Sequence, residues 1–164
     1  MNLSRTLLWG ITIFLFAGLS VVAMVRVWPL LNPDVTESAT ADPACDLRAG
    51  PCTSSLPGGG HISLSITPET IPVLKPLTLE VILDGLDVSS VEVDFKGVDM
   101  NMGFNRSKLD PQGAGIYTGT GTIPVCIRDA MEWEARVLAR TDKGLVAAPF
   151  RFITVKPGAD LPSH

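Results

Sequence analysis

Two methionines two residues apart are the first candidates for chemistry in this chain. Met100 and Met102 lie in the run VDMNMG at 98–103, and residues two apart in an extended chain point to the same side. Thioether sulfur is a soft ligand that selects Cu(I) over hard cations. The spacing is therefore compatible with a copper site. The alternative is structural, because methionine commonly fills irregular gaps in a core.

Two methionines are a poor copper site, so we expect further ligands. Cys126 and His61 are the candidates to complete the ligand shell around Met100 and Met102. Met131 and Cys126 flank the loop before a predicted strand, where they can add sulfur. Met131, however, has the parity of a core residue in that strand, which favours a packing role for it.

The three cysteines point to an oxidising compartment. Cys45 and Cys52 can close a small disulfide ring, because the Gly-Pro pair at 50–51 supplies a turn between them. Cys126 is then a free thiol. Alternatively, Cys126 pairs with Cys45 or Cys52 and ties the flanking segment to the following domain. A third hypothesis is a thiol-redox function, for which Cys126 must be an exposed and activated thiolate.

Catalytic chemistry has little support in the sequence. The chain has only two histidines, His61 and His164, and the second is its last residue. Acid–base and triad mechanisms usually need a positioned histidine. The sequence also lacks a phosphate-binding glycine loop, a zinc-binding histidine pair and a Gly-x-Ser-x-Gly nucleophile turn. We therefore predict that the protein is not an enzyme and has no catalytic residues.

An apolar segment opens the chain. The run from Thr6 to Val25 contains no charged residue and, as a helix, spans ~30 Å, the thickness of a bilayer core. Trp9 and Trp28 lie near its ends, where aromatic rings prefer the headgroup region. We predict a transmembrane signal-anchor over 6–28, after a cytoplasmic N-terminus over 1–5. A cleaved signal peptide is the alternative, since the VVA triplet at 21–23 resembles a cleavage site.

The rest of the chain indicates which side of the membrane it occupies. It has no cluster of lysine and arginine that would hold it in the cytoplasm. The cysteine spacing also suits an oxidising compartment. We therefore predict a single-pass protein of the inner membrane with its C-terminal domain in the periplasm.

The remaining segments are assigned by composition and periodicity. Residues 29–60 are rich in Pro, Gly, Ser and Thr and predict an extracytoplasmic linker. Apolar and polar residues then alternate, as in Ile62, Leu64 and Ile66, which is the pattern of a half-buried strand. About seven such strands with turn residues between them predict an all-β domain over 61–156, an antiparallel immunoglobulin-like sandwich. Residues 157–164 form a polar tail.

The overall composition agrees with an all-β domain and excludes some partners. The 13 prolines and 15 glycines among 164 residues favour a turn-rich β protein over a helical bundle. The net charge of −4 removes the basic surface that nucleic-acid binding requires. The predicted partners are the membrane and another membrane protein, without nucleic acid.

Several short motifs resemble the YtkA-like/FixH-like family of small membrane-anchored extracytoplasmic β-sandwich domains. The similarity lies in the Met-x-Met-Gly element at 100–103, the GAGIY run at 113–117 and the MEW run at 131–133. It covers roughly Val91 to Val137. The resemblance implies a β-sandwich fold and a function in copper delivery or the assembly of respiratory haem–copper oxidases. A fainter similarity to periplasmic copper-resistance sandwiches rests on His61 at the start of the first strand.

Overall fold

The structure is a computed structural model that describes residues 3–31, 33–125, 128 and 130–155. The chain divides between Asp34 and Val35 into a helical unit and a β unit. Cys126, His164 and the predicted tail at 157–164 lie outside the described residues.

The helical unit consists of α1, Leu3–Leu31. Its segment Thr6–Pro29 is 24 residues long and contains an 18-residue window with a mean hydropathy of 2.3, none of which is buried. The hydroxyls of Thr12 and Ser20 donate hydrogen bonds to the carbonyl oxygens of Leu8 and Phe16, at 2.9 and 2.8 Å. These bonds satisfy the polar side chains within the helix, as an apolar surrounding requires. By length and composition, α1 can cross a membrane.

The described residues of the β unit form nine strands in one mixed sheet. The strands are β1 (Val35–Ser38), β2 (Cys52–Ser55), β3 (His61–Thr67), β4 (Leu77–Asp84), β5 (Ser90–Gly97), β6 (Arg106–Gly113), β7 (Ile116–Gly121), β8 (Ala130–Thr141) and β9 (Gly144–Val155). Their order across the sheet is β1-β9-β8-β5-β6-β7-β4-β3-β2. The pair β1–β9 is parallel and the other pairs are antiparallel. Within the predicted domain at 61–156 the described residues form seven strands, β3 to β9, but these join β1 and β2 in one curled mixed sheet, whereas an antiparallel sandwich was predicted.

Strict alternation of apolar and polar residues explains why segments such as β4 form half-buried strands. Every second residue of β4 is buried, beginning with Leu77, and the intervening residues are exposed. A strand presents successive side chains to opposite faces, so this pattern buries one face and leaves the other in solvent. The prediction of half-buried strands from periodicity is confirmed here.

The sheet curls into a half-barrel because β6 changes its partner midway. Residues 106–109 pair with β5, whereas Asp110, Pro111 and Gly113 pair with β7. The two halves of the sheet therefore face each other across a common core. Phe95 of one half packs on Gly121 of the other, where an added Cβ would lie 2.9 Å from Phe95 Cε2.

The core is closed near the start of β8 by a buried tryptophan. Trp133 is fully buried, and its indole nitrogen donates a hydrogen bond of 2.9 Å to the hydroxyl of Thr154 on β9. Because the indole N–H is thereby satisfied, the ring occupies the core without the cost of an unpaired donor.

The segment predicted as a linker, 29–60, belongs partly to the β unit. It includes β1 and β2, and four of its side chains are buried in the core: Ala39, Leu47, Cys52 and Leu56. Its composition predicted a linker because it is rich in polar and turn residues. Pairing of β1 with β9 and of β2 with β3 nevertheless orders it.

Candidate functional site

Three methionines converge on one glycine at the end of β5. A Cβ placed on Gly97 would lie 3.2 Å from Met102 Cγ and nearer still to Met131 Cε and the carbonyl oxygen of Met100. Because Gly97 has no side chain, these atoms occupy the space beside it, and a larger residue at 97 would exclude them. We call Met100, Met102 and Met131 the methionine cluster.

Strand pairing explains why the third methionine joins the other two. Gly97 is opposite Trp133 in the antiparallel pair β5–β8, and the amide of Val98 donates to the carbonyl of Glu132 at 3.1 Å. Met131 is therefore adjacent to the loop that follows β5. That loop turns back at Gly103, where the φ angle is +79° and the amide donates to Asn101 Oδ1 at 2.9 Å.

The methionine cluster lies at the boundary between core and solvent. Met131 is buried, with 5% of its surface exposed, whereas Met100 and Met102 are half-buried and pack against the core. Because burial decreases from Met131 to Met100 and Met102, one side of the cluster is open to an approaching ion or partner. Thioether side chains at such a position offer soft sulfur donors in a largely apolar surrounding.

Exposed apolar side chains belong to the loops at the same end of the sheet. Val98 is 38% exposed, Phe104 59% and Val125 51%. The guanidinium of Arg106 lies over the Phe104 ring, 5.1 Å from its centre. Asp99 and Arg128 form an exposed ion pair of 3.4 Å on these loops. The surface around the methionine cluster therefore combines apolar contact area with paired charges.

His61 does not join the methionine cluster. It begins β3 opposite Asp84, the last residue of β4, and its Nδ1 lies 3.0 Å from the hydroxyl of Ser55. The start of β4, by contrast, pairs with Gly121 beside the β5–β6 loop. The antiparallel strands thus place His61 at the opposite end of the sheet from the methionines.

Cys126, the fourth predicted ligand, lies outside the described residues. Val125 precedes it and is exposed, at the same end of the sheet as the methionine cluster. Among the residues that the structure does describe, no group of three His, Cys, Asp or Glu side chains has the spacing of a metal site.

Cys45 and Cys52 are joined by a disulfide, with their Cα atoms 5.8 Å apart. Cys52 is buried and begins β2, while Cys45 is half-buried. The bridge closes a short loop that carries the fully buried Leu47 into the core. Its position is that of a structural cross-link and not of an exposed redox-active pair.

Sequence reasoning found Met100 and Met102 and treated Met131 as either a further sulfur or a core residue. The structure places Met131 in the core and beside Gly97, which the Met102 side chain and the Met100 carbonyl also approach. The signal in the sequence was the glycine at 97, which leaves room for the side chains of Met102 and Met131 and for the backbone of Met100. The strand that pairs with this glycine could not be predicted from residue spacing.

No protein-family model, no curated protein and no solved structure matches this chain.

Proposed function

We propose that this protein is a membrane-anchored accessory protein that binds Cu(I) at the methionine cluster as cargo for a copper-dependent partner. The observation that carries the proposal is the convergence on Gly97 of the Met102 and Met131 side chains and the backbone carbonyl of Met100, whose own side chain is half-buried against the same core. Three thioethers supply the soft donor set that two methionines alone lack, and soft sulfur ligands select Cu(I).

The position of the cluster suits an ion that is taken up and passed on. Met131 is buried and held by β8, which gives the site one fixed ligand. Met100 and Met102 are half-buried on a loop, so both can follow the ion toward a partner. The exposed side chains of Val98 and Phe104 offer apolar contact area for that partner beside the ion.

The cellular location is part of the proposal. α1 is the membrane anchor, and the Cys45–Cys52 bridge suits an oxidising compartment. We place the β unit in the periplasm at the inner membrane, where assembly of respiratory haem–copper oxidases is the function implied by the resemblance to YtkA-like/FixH-like domains.

We also infer an immunoglobulin-like arrangement for strands β3 to β9. The order β3-β4-β7-β6 on one half and β5-β8-β9 on the other is the order of the two sheets in a seven-strand immunoglobulin domain. β1 and β2 extend the two edges, and β6 links the two halves into one sheet.

A second candidate function is a metal-free interaction module. The observation in its favour is the set of exposed apolar side chains on the loops at this end of the sheet, Val98, Phe104 and Val125. In this alternative the methionines only support a contact surface. It predicts that the protein binds a partner equally well with and without copper.

A Cu(I) competition titration separates the two functions. The full chain in detergent micelles is titrated anaerobically against a chromogenic Cu(I) chelator, alongside Met100→Leu/Met102→Leu, Met131→Leu and Cys126→Ser. Met24→Leu is the matched control, since it removes a thioether from α1. The proposal predicts one Cu(I) per chain, with affinity lowered at least about tenfold by each cluster variant and unchanged in the control.

Absence of binding, or binding that the cluster variants leave unchanged, would contradict the copper proposal and favour the interaction module. Weaker binding in Cys126→Ser would add the Cys126 thiolate to the ligand set. Activity of Cys126 as a redox thiol would instead be seen as rapid alkylation of that thiol in the metal-free protein.

A further inference from the structure

A groove lies beside the last residues of β9. Its volume is about 480 Å³. One wall is the segment 42–48, which includes Asp42, Cys45 and Arg48, and the other is formed by Arg151 and Ile153 of β9 together with a residue of β8. The groove therefore lies between a disulfide-held loop and a strand.

The backbone of β9 directs unused hydrogen-bonding groups into this groove. The carbonyl oxygen of Ala147 accepts a hydrogen bond of 2.8 Å from the amide of Ala39. The backbone N–H and C=O groups of Ala147 therefore point away from β8. Residues of the same parity in a strand point the same way, so Arg151 and Ile153 do too. β1 pairs only as far as Ala147, and in the described part of the chain no strand covers the edge beyond it.

One contact already imitates a partner strand. Arg48 Nη1 donates to the carbonyl oxygen of Ile153 at 3.4 Å, in the place where the amide of an adjacent strand would donate. The carbonyl oxygen of Ile153 at this edge therefore already accepts a hydrogen bond from a group outside the sheet. The amide and carbonyl of Arg151 are the next groups available to an added chain.

The opposite wall is held in shape before any ligand binds. The carboxylate of Asp42 accepts from the amide of Ala44 at 2.8 Å, and that of Asp46 accepts from the amide of Arg48 at 2.9 Å. The Cys45–Cys52 bridge ties the same segment to β2. Such pre-organisation lowers the entropic cost of binding.

The charges of the groove favour a basic ligand. Arg151 is already paired with Glu132 at 3.4 Å and with Glu134 at 3.9 Å. Neither Asp42 nor Asp46 forms an ion pair with another described residue. Arg48 is the cation that this wall carries among its lining residues, and it donates to the carbonyl oxygen of Ile153. Two carboxylates against one guanidinium leave the wall with a net negative charge, and a second copy of the chain would bring the same carboxylates to face them.

We propose that this groove binds an extended peptide of a partner protein, which adds a strand to the edge of β9 at Arg151 and Ile153. The peptide carries a lysine or arginine side chain that pairs with Asp42 and Asp46. In this mode main-chain hydrogen bonds supply affinity and side chains supply specificity. The proposal does not depend on copper binding at the methionine cluster.

Fluorescence anisotropy with three labelled peptides tests this inference on the full chain in detergent micelles. The probes are TVKVTV, its acidic counterpart TVEVTV, and TVKPTV, in which proline removes a main-chain donor. We expect TVKVTV to bind, TVEVTV to bind at least about tenfold more weakly, and TVKPTV to lose most of its affinity.

Variants of the protein assign the binding to the groove. Asp42→Asn/Asp46→Asn keeps the oxygen atoms that cap the two turns but removes both charges, and it should weaken TVKVTV about tenfold. Asp84→Asn/Asp87→Asn is the matched control, because it removes two exposed charges elsewhere. Arg151→Pro removes the edge amide without breaking a bond to β8, and it should weaken all three peptides.

Several results would overturn the inference. These are no binding of TVKVTV at millimolar concentration, equal binding of the acidic and basic peptides, or equal effects of the two double variants. If light scattering instead shows a dimer that Arg151→Pro dissociates, the occupant is a second copy of the chain and the proposed partner is wrong. Should Arg151→Pro fail to fold, the Asp42→Asn/Asp46→Asn comparison decides.

Discussion

Gly97 lies so close to Met131 that a single added methyl group would overlap the Met131 Cε atom. The glycine ends β5 and the methionine is the second residue of β8, and pairing of these two strands brings them together. The methionine cluster therefore depends on the absence of a side chain at residue 97.

Replacing Gly97 with alanine should disturb both packing and copper binding. The added Cβ would meet Met131, Met102 and the backbone of Met100. Overpacking of this kind typically costs about 1–3 kcal/mol. We expect a lower free energy of unfolding by thermal circular dichroism and a weaker Cu(I) affinity. Gly10→Ala is the control, since its added methyl meets nothing within 4 Å. Unchanged stability in Gly97→Ala would mean that the close contact is not maintained.

Truncating Leu47 should show that the disulfide loop is part of the core. Leu47 is 1% exposed, and a buried leucine changed to alanine costs about 2–5 kcal/mol. Leu74→Ala is the matched control, because Leu74 is 64% exposed. Chemical denaturation in micelles measures both variants. Reduction of the Cys45–Cys52 bridge should remove about a further 2 kcal/mol from the native protein. Equal stability of the two leucine variants would restore the linker interpretation.

The buried carboxylate of Asp94 should matter far more than an exposed one. Asp94 is 3% exposed and lies 3.3 Å from Arg106 and 3.6 Å from Lys96. Asp94→Ala leaves the Arg106 guanidinium with only Glu92, at 3.6 Å, and should cost about 3 kcal/mol.

The comparison for Asp94 is Asp99→Ala. The side chains of the Asp99–Arg128 pair are 61% and 50% exposed, so this change should cost less than about 1 kcal/mol. Denaturant midpoints of both variants provide the measurement. Similar losses would show that burial does not decide the contribution of these ion pairs.

Much of the fold follows from local patterns in the sequence. The uncharged run ahead of Arg26 predicts α1, and alternation predicts strands such as β3 and β4. β1 and β2 could not be predicted in this way. Each has four residues, and only pairing with β9 and β3, which are distant in sequence, stabilises them.

The candidate site was predictable only in part, for the same reason. Met100 and Met102 are two apart in the sequence, so their proximity is local. Met131 joins them through the pairing of β5 with β8. His61 was expected nearby, yet the direction of β3 places it at the other end of the sheet. Strand order and direction are tertiary properties that periodicity does not encode.

The most direct test of the copper proposal is a methyl NMR titration of the full chain in micelles. The chain has five methionines, whose ε-methyl groups are labelled with ¹³C and assigned by single Met→Leu variants. On anaerobic addition of one equivalent of Cu(I), the account predicts that the signals of Met100, Met102 and Met131 shift together, while Met1 and Met24 stay in place. If no signal shifts, or if the cluster signals move no more than that of Met24, the methionine cluster does not bind copper.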